Sequence, residues 1–105
     1  MSSSGKYASS TTNPHKFFSL RTKDDGKYVL LVSFNDIEIG KDIYYSSEFL
    51  IDISNRTVRY DEFGVLGSKQ NLVNFRFEEI DGNLNFVIEP KTTSKCLANY
   101  TLRSL

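Results

Sequence analysis

NFRFEEIDGNLNFVIE, residues 74–89, is the stretch of this chain that says most about its fold. Two runs of alternating apolar and polar residues flank Asp81 and Gly82. An Asp-Gly pair between such runs favours a tight β-hairpin, because its type I′ turn needs a positive φ at both central residues. This turn predicts three cross-strand pairs: Ile80 with Asn83, Phe77 with Phe86, and Phe75 with Ile88.

The predicted register divides the hairpin into an apolar face and a polar face. Directly opposed residues of an antiparallel pair point to the same side of the sheet, and a slip of one residue would mix the two sets. We therefore predict that Phe77 and Phe86 form a buried cross-strand pair. The expected apolar face consists of Phe75, Phe77, Leu84, Phe86 and Ile88.

The rest of the chain from Phe17 onward also alternates with a period of two. A second Asp-Gly pair, Asp25–Gly26, predicts a hairpin between residues 17–23 and 27–34, in which Asp24 faces Lys27. A third hairpin is predicted around Ser54 and Asn55, with Ile51 facing Val58 and Phe49 facing Tyr60. Residues 63–67 are expected to add an edge strand, and residues 96–104 to form the last strand.

Seven or eight short strands at this spacing predict an all-β fold, either an antiparallel β-sandwich or a small barrel. The length of the chain is sufficient for one hydrophobic core, so residues 17–105 are expected to form a single domain. Residues 1–16 are rich in serine and threonine and offer little to bury. They are predicted to be a disordered tail.

The composition argues against several classes of protein. Thirteen basic residues balance thirteen acidic ones, and a duplex-binding protein would normally have a basic excess, so nucleic acid is not an expected partner. No apolar run reaches the 18 residues of a membrane span. The single cysteine and the lack of a signal peptide favour an intracellular protein, and secretion after removal of a signal is the alternative. Two glycosylation triplets, at Asn55 and Asn99, are expected by chance.

Few residues of this chain can support catalysis or bind a metal. His15, the only histidine, lies in the predicted tail and is expected to be solvated, whereas a catalytic base must be held within hydrogen-bond reach of its partner. Cys96 opens a predicted strand and is expected to be a small core or edge residue. A zinc site needs several such ligands. We therefore expect no enzyme activity, no cofactor and no metal.

The run YVLLV, residues 28–32, is apolar on both faces of its predicted strand. In the predicted hairpin, Leu31 shares a face with Phe18 and Leu20, whereas the opposite face is mixed with Ser19 and Arg21. We therefore expect Leu31 in the core and the other face outside, where it would bind a partner. That predicted partner-binding face consists of Tyr28, Leu30, Val32 and Phe34. The alternative is that a crossing strand of the same domain covers it.

These observations predict a non-catalytic binding module whose partner is another protein or a second copy of the chain, through a sheet face or edge. A small carbohydrate-binding module is the main alternative. The stretch IDGNLNF, residues 80–86, resembles the turn that ends each repeat of cyanovirin-type lectins, although the chain shows no second copy and lacks that family's cysteine pairs. A barrel that binds single-stranded nucleic acid is a third alternative.

Overall fold

The computed structural model describes residues 2–22, 26–37, 44–55, 57–67 and 73–105. These residues form eight β-strands, and the predicted all-β fold is confirmed. The strands are β1 (Ser2–Ser9), β2 (His15–Arg21), β3 (Gly26–Asp36), β4 (Tyr44–Ser54), β5 (Thr57–Gly67), β6 (Val73–Ile80), β7 (Asn83–Pro90) and β8 (Cys96–Ser104).

The strands form two antiparallel sheets that pack as a sandwich. The larger sheet has the order β1-β8-β3-β4-β5, and the smaller sheet has the order β2-β7-β6. Alternate residues of each strand point inward, where the two sheets share one core. The largest fully buried side chains come from the middle strands of both sheets: Phe34, Leu30 and Val32 of β3, Ile51 and Ile53 of β4, Phe86, Leu84 and Ile88 of β7, and Leu102 of β8.

The β6–β7 hairpin has the predicted register. Phe77 pairs with Phe86, Phe75 with Ile88 and Ile80 with Asn83. Asp81 and Gly82 have φ angles of 50° and 78°, as a type I′ turn requires. Phe86 is fully buried and Phe77 is half-buried, because β6 lies at an edge of the smaller sheet.

The predicted hairpin at Asp25–Gly26 is wrong. β2 pairs with β7 in the smaller sheet, whereas β3 pairs with β4 and β8 in the larger one. The chain therefore crosses from one sheet to the other between these strands, and Asp24, which was expected to face Lys27, lies outside the described residues. β2 pairs instead with the edge of β7 that β6 does not use. This pairing places Phe18 opposite Phe86 and Leu20 opposite Leu84, on the inner face of the smaller sheet.

The β4–β5 hairpin forms with a register two residues away from the predicted one. Ile51 pairs with Tyr60 instead of Val58, and Val58 pairs with Ile53. A shift of two keeps every side chain on its predicted face, because the side-chain period of a strand is two. The predicted edge strand at residues 63–67 is the end of β5 itself, which is an edge strand of the larger sheet.

The structure differs from the predicted disordered tail at the N terminus. Ser2–Ser9 forms β1 and pairs along its length with β8. Gly5 faces Tyr100, and a Cβ at Gly5 would lie 2.5 Å from the Tyr100 ring. The composition predicted disorder because the segment has little to bury. The edge of β8 nevertheless offers it backbone hydrogen bonds, which do not depend on apolar side chains. His15, which was expected in the tail, begins β2 and stacks on Tyr7 at 3.7 Å between ring centroids.

Candidate functional site

The four residues predicted to bind a partner lie in the core. The exposed fractions are 6% for Tyr28, 0% for Leu30, 2% for Val32 and 0% for Phe34. The prediction of an exposed face is therefore wrong, and the alternative of a crossing element is correct. β2 belongs to the smaller sheet, which covers this face, so Ser19 and Arg21 are not the neighbours of β3 that the predicted hairpin made them.

The opposite face of β3 lies outside the sandwich. Leu31, which was predicted to be core, is 37% exposed, and Val29 is half-buried. The apolar character of both faces of β3 is thus real, but the inner and outer faces are exchanged relative to the prediction. Leu31 pairs with Glu48 and Thr101 on this outer face, which is otherwise largely polar.

An unusual surface of the described part of the chain is the edge formed by β5. An edge strand presents backbone N–H and C=O groups that no neighbouring strand of its own sheet binds. Three large apolar side chains along β5 are exposed: Tyr60 at 42%, Phe63 at 57% and Val65 at 43%. β5 also carries the exposed charges Arg59, Asp61 and Glu62. An edge strand that exposes several large apolar side chains is a candidate interaction surface.

A β-bulge at Phe63 divides β5 into two parts. Phe49 pairs with Glu62 and Glu48 pairs with Gly64, so Phe63 has no residue opposite to it in β4. A bulge bends the strand and redirects its side chains. Gly64 leaves room for Glu48, because a Cβ at this position would lie 3.0 Å from Glu48 Oε2. The regular part of β5 therefore runs from Thr57 to Glu62.

An aromatic cluster connects the β5 edge to the smaller sheet. The Tyr60 ring lies 4.3 Å from Phe77, and the Phe49 ring lies 5.3 Å from Phe77 in an edge-to-face arrangement. Tyr45 stacks on Phe75 at 5.1 Å. These contacts join the larger sheet to β6 at the open side of the sandwich and hold Tyr60 against Phe77.

A carboxylate sits beside this cluster. The Tyr45 hydroxyl donates a hydrogen bond of 2.8 Å to Glu62 Oε1, and the buried Ser47 hydroxyl donates to the same oxygen. Burial, together with the hydrogen bond to Glu62, raises the pKa of Tyr45 to about 12. Glu62 is thereby held in place at the surface, where its carboxylate can act as a hydrogen-bond acceptor.

An open groove of about 170 Å³ lies between β5 and β6, and we call it the edge groove. Aromatic residues and the acidic residue Glu62 contribute to its lining. Its lining residues are Tyr45, Phe49, Glu62, Val73, Asn74 and Phe75.

The residues considered for catalysis and metal binding are placed apart from this groove. Cys96 is fully buried in the core and forms no disulfide. His15 lies on β2, which is the edge strand of the smaller sheet opposite β6. Within the described ranges, no group of three or more His, Cys, Asp and Glu side chains could hold a metal ion. The same part of the chain has no helix long and apolar enough to cross a membrane.

Part of β5 was predicted from the sequence as an edge strand, but it was not predicted to be an interaction surface. It predicted an edge strand at residues 63–67, which contains Phe63 and Val65, and it placed Tyr60 on a strand facing β4. The signal that was available is the dense apolar content of a strand expected at an edge. Glu62 was missed, because its alignment with Tyr45 and Ser47 depends on the bulge.

Comparisons with known proteins identify relatives in fold only. No protein-family model matches this chain, and no curated protein matches it. A tailspike protein of Acinetobacter phage vB_ApiP_P1 superposes with a TM-score of 0.59 at 11% identity, over 97% of this chain and 22% of that one. A tailspike protein of Acinetobacter baumannii phage AM24 superposes with a TM-score of 0.51 at 5% identity, over 97% of this chain and 25% of that one. The chain thus spans about a quarter of the length of these two structures, and the likeness shows a shared sandwich fold.

Proposed function

We propose that this protein is a non-catalytic module that binds another protein through the β5 edge. The observation that carries the proposal is the exposure of Tyr60, Phe63 and Val65 on a strand whose outer edge pairs with none of the other described strands. A partner strand that pairs with β5 would bind the backbone N–H and C=O groups that no other described strand binds, and it would cover exposed apolar side chains at the same time. This is the binding mode of β-strand addition.

Two further features support this proposal. The edge is preorganised, because Tyr60 packs on Phe77 and the Glu62 carboxylate is held by Tyr45 and Ser47. A rigid surface loses little conformational entropy on binding. Cys96 is the one cysteine of this chain and cannot form a disulfide within it, which is consistent with a module that works in a reducing compartment.

The experiment compares three immobilised baits in extracts of the cells that produce the protein: the wild type, Phe63→Lys and Ile80→Lys. Ile80 is a matched control, because it is 49% exposed against 57% for Phe63 but lies on the β6–β7 hairpin. We expect at least one protein that the wild type and Ile80→Lys retain and Phe63→Lys loses, as quantified by mass spectrometry. The same captured proteins on all three baits would refute binding through β5.

Carbohydrate binding is a second candidate function, and the edge groove is the observation that favours it. Small-ligand sites combine apolar and aromatic walls with a few placed polar groups. The groove is lined by the aromatic residues Tyr45 and Phe75 and by Glu62, which supplies a carboxylate. Sugar hydroxyls could donate hydrogen bonds to the Glu62 carboxylate.

A panel of neutral oligosaccharides titrated into the protein by calorimetry tests this second candidate. Glu62→Gln should weaken any binding that uses the groove, because a neutral amide is a poorer acceptor than a carboxylate. Glu79→Gln is the control, since Glu79 is exposed on β6 and does not line the groove. Equal heats for both variants would exclude the groove as a sugar site.

A further inference from the structure

We propose that the partner taken up by β5 is a second copy of this chain, and that the two copies pair antiparallel about a two-fold axis through Tyr60. The inference rests on the proposed function, because it names the partner of the same edge. Two five-stranded sheets would then form one continuous sheet, with the same surface used on both copies, as a two-fold dimer requires.

Charge limits the possible registers of such a pair. A two-fold axis places the residue on the axis opposite its own copy, so an axis through Arg59, Asp61 or Glu62 would set like charges directly opposite each other. Like charges in direct cross-strand pairs are destabilising. Tyr60 is the one residue from 59 to 62 that avoids this conflict, since its side chain is uncharged.

With the axis at Tyr60, unlike charges face each other twice. Arg59 of each copy lies opposite Asp61 of the other, and both side chains are exposed. Within one chain, Asp61 pairs with the apolar Leu50 of β4. The second copy therefore supplies the opposite charge that β4 does not place across from Asp61.

The same register continues a charge pattern already present on the outer face. Lys27 pairs with Asp52, and Asp52 pairs with Arg59, so one row across β3, β4 and β5 alternates in sign. Asp61 of the second copy would extend this row with the next negative charge. Each step of the row is a favourable cross-strand pair.

The geometry of β5 also fits this register. Pairing about Tyr60 sets Thr57 opposite Phe63 of the second copy, so it uses the regular part of the strand and stops at the bulge. Tyr60, which is 42% exposed, would meet its own copy in an aromatic pair. One strand pair buries a small interface, so we expect a reversible dimer with weak affinity.

Sedimentation equilibrium of four proteins tests the register: the wild type, Arg59→Asp, Asp61→Arg and the double variant with both changes. Across the interface, each single change turns two attractive pairs into repulsive ones, so we expect a dimer about tenfold or more weaker. Arg59→Asp also places a like charge opposite Asp52 within each copy. The double variant exchanges the charges and should recover the affinity of the wild type. Arg103→Asp is the control, because Arg103 is exposed on β8, away from the β5 edge.

Failure of this inference can be told apart from failure of the proposed function. A wild type that stays monomeric up to millimolar concentration, or a double variant as weak as the single ones, overturns the β5–β5 pair. The capture experiment with Phe63→Lys still decides whether β5 binds some other protein. If Phe63→Lys loses a captured protein and the wild type is monomeric, the proposed function is supported and self-pairing is excluded.

Discussion

The two Asp-Gly pairs of this chain have different structural outcomes. Asp81–Gly82 closes the β6–β7 hairpin, with positive φ at both residues, and its flanking strands pair directly. Gly26 begins β3 with a φ of 136°, outside the range of a type I′ turn, and its flanking strands belong to different sheets. The two regions are in contact. The backbone N–H of Thr22, which follows β2, donates a hydrogen bond of 2.9 Å to the Gly82 carbonyl.

The difference shows that a turn motif determines pairing only where its own strands are each other's best partners. β7 has two edges, and its inner face presents Leu84, Phe86 and Ile88. β6 takes one edge through the tight turn, and β2 takes the other edge through long-range pairing. β3 is apolar on both faces and lies between β8 and β4 at the centre of the larger sheet.

A charge on either face of β3 is the strongest test of this comparison. Leu30→Lys should unfold the protein, because an unpaired charge in the core costs several kcal/mol against a total stability of roughly 5–15 kcal/mol. Leu31→Lys should stay folded, since Leu31 is 37% exposed. Thermal melts followed by circular dichroism measure both. The opposite result would mean that β2 and β3 form the hairpin that the second Asp-Gly pair predicts.

Truncation of the two paired phenylalanines tests the hairpin that did form. Phe86→Ala should cost about 3–5 kcal/mol, the range for a fully buried aromatic residue. Phe77→Ala should cost less, because Phe77 is only half-buried on an edge strand. Urea unfolding gives both values. Equal costs would indicate that β6 is covered as completely as β7.

The turn of the β6–β7 hairpin offers a smaller effect. Gly82→Ala should lower stability by about 1–2 kcal/mol, because a Cβ is unfavourable in the left-handed region, where Gly82 has a φ of 78°. Asp81→Asn is the control, since asparagine tolerates a positive φ. Urea midpoints should fall for the first variant only. A neutral Gly82→Ala would argue against a type I′ turn.

The smallest expected effect concerns the hydroxyl group of Tyr45, a residue of β4 that lines the edge groove. Its pKa is raised to about 12 by burial and by the hydrogen bond to Glu62, so the unfolded chain ionises first as pH rises above 10. The wild type should therefore lose stability between pH 10 and 12, relative to Tyr45→Phe. Below pH 10 the wild type should be more stable by about 0.5–1.5 kcal/mol, the net value of a hydrogen bond.

Thermal melts of the wild type and Tyr45→Phe across this pH range measure the difference. The gap should be constant up to pH 10 and shrink above it. A gap that does not change up to pH 12 would mean that the hydroxyl titrates equally in the folded and unfolded states.

The sequence by itself determined the class of fold and the local pairing. Period-two hydrophobicity predicted the strands, and turn chemistry set the register of β6 and β7. The faces of β4 and β5 were also predictable, because a register error of two residues leaves each side chain on its side of the sheet. Cys96 was expected as a core or edge residue, and it is fully buried.

Only the tertiary structure decided which strands pair over long distances, and with that which face of β3 is buried. Alternation reveals two faces but cannot say which one a second sheet will cover, because that depends on strands remote in sequence such as β2 and β7. The candidate site also depends on long-range strand pairing. The edge position of β5, the bulge at Phe63 and the contact of Glu62 with Tyr45 arise from strand order and packing, which are properties of the whole chain.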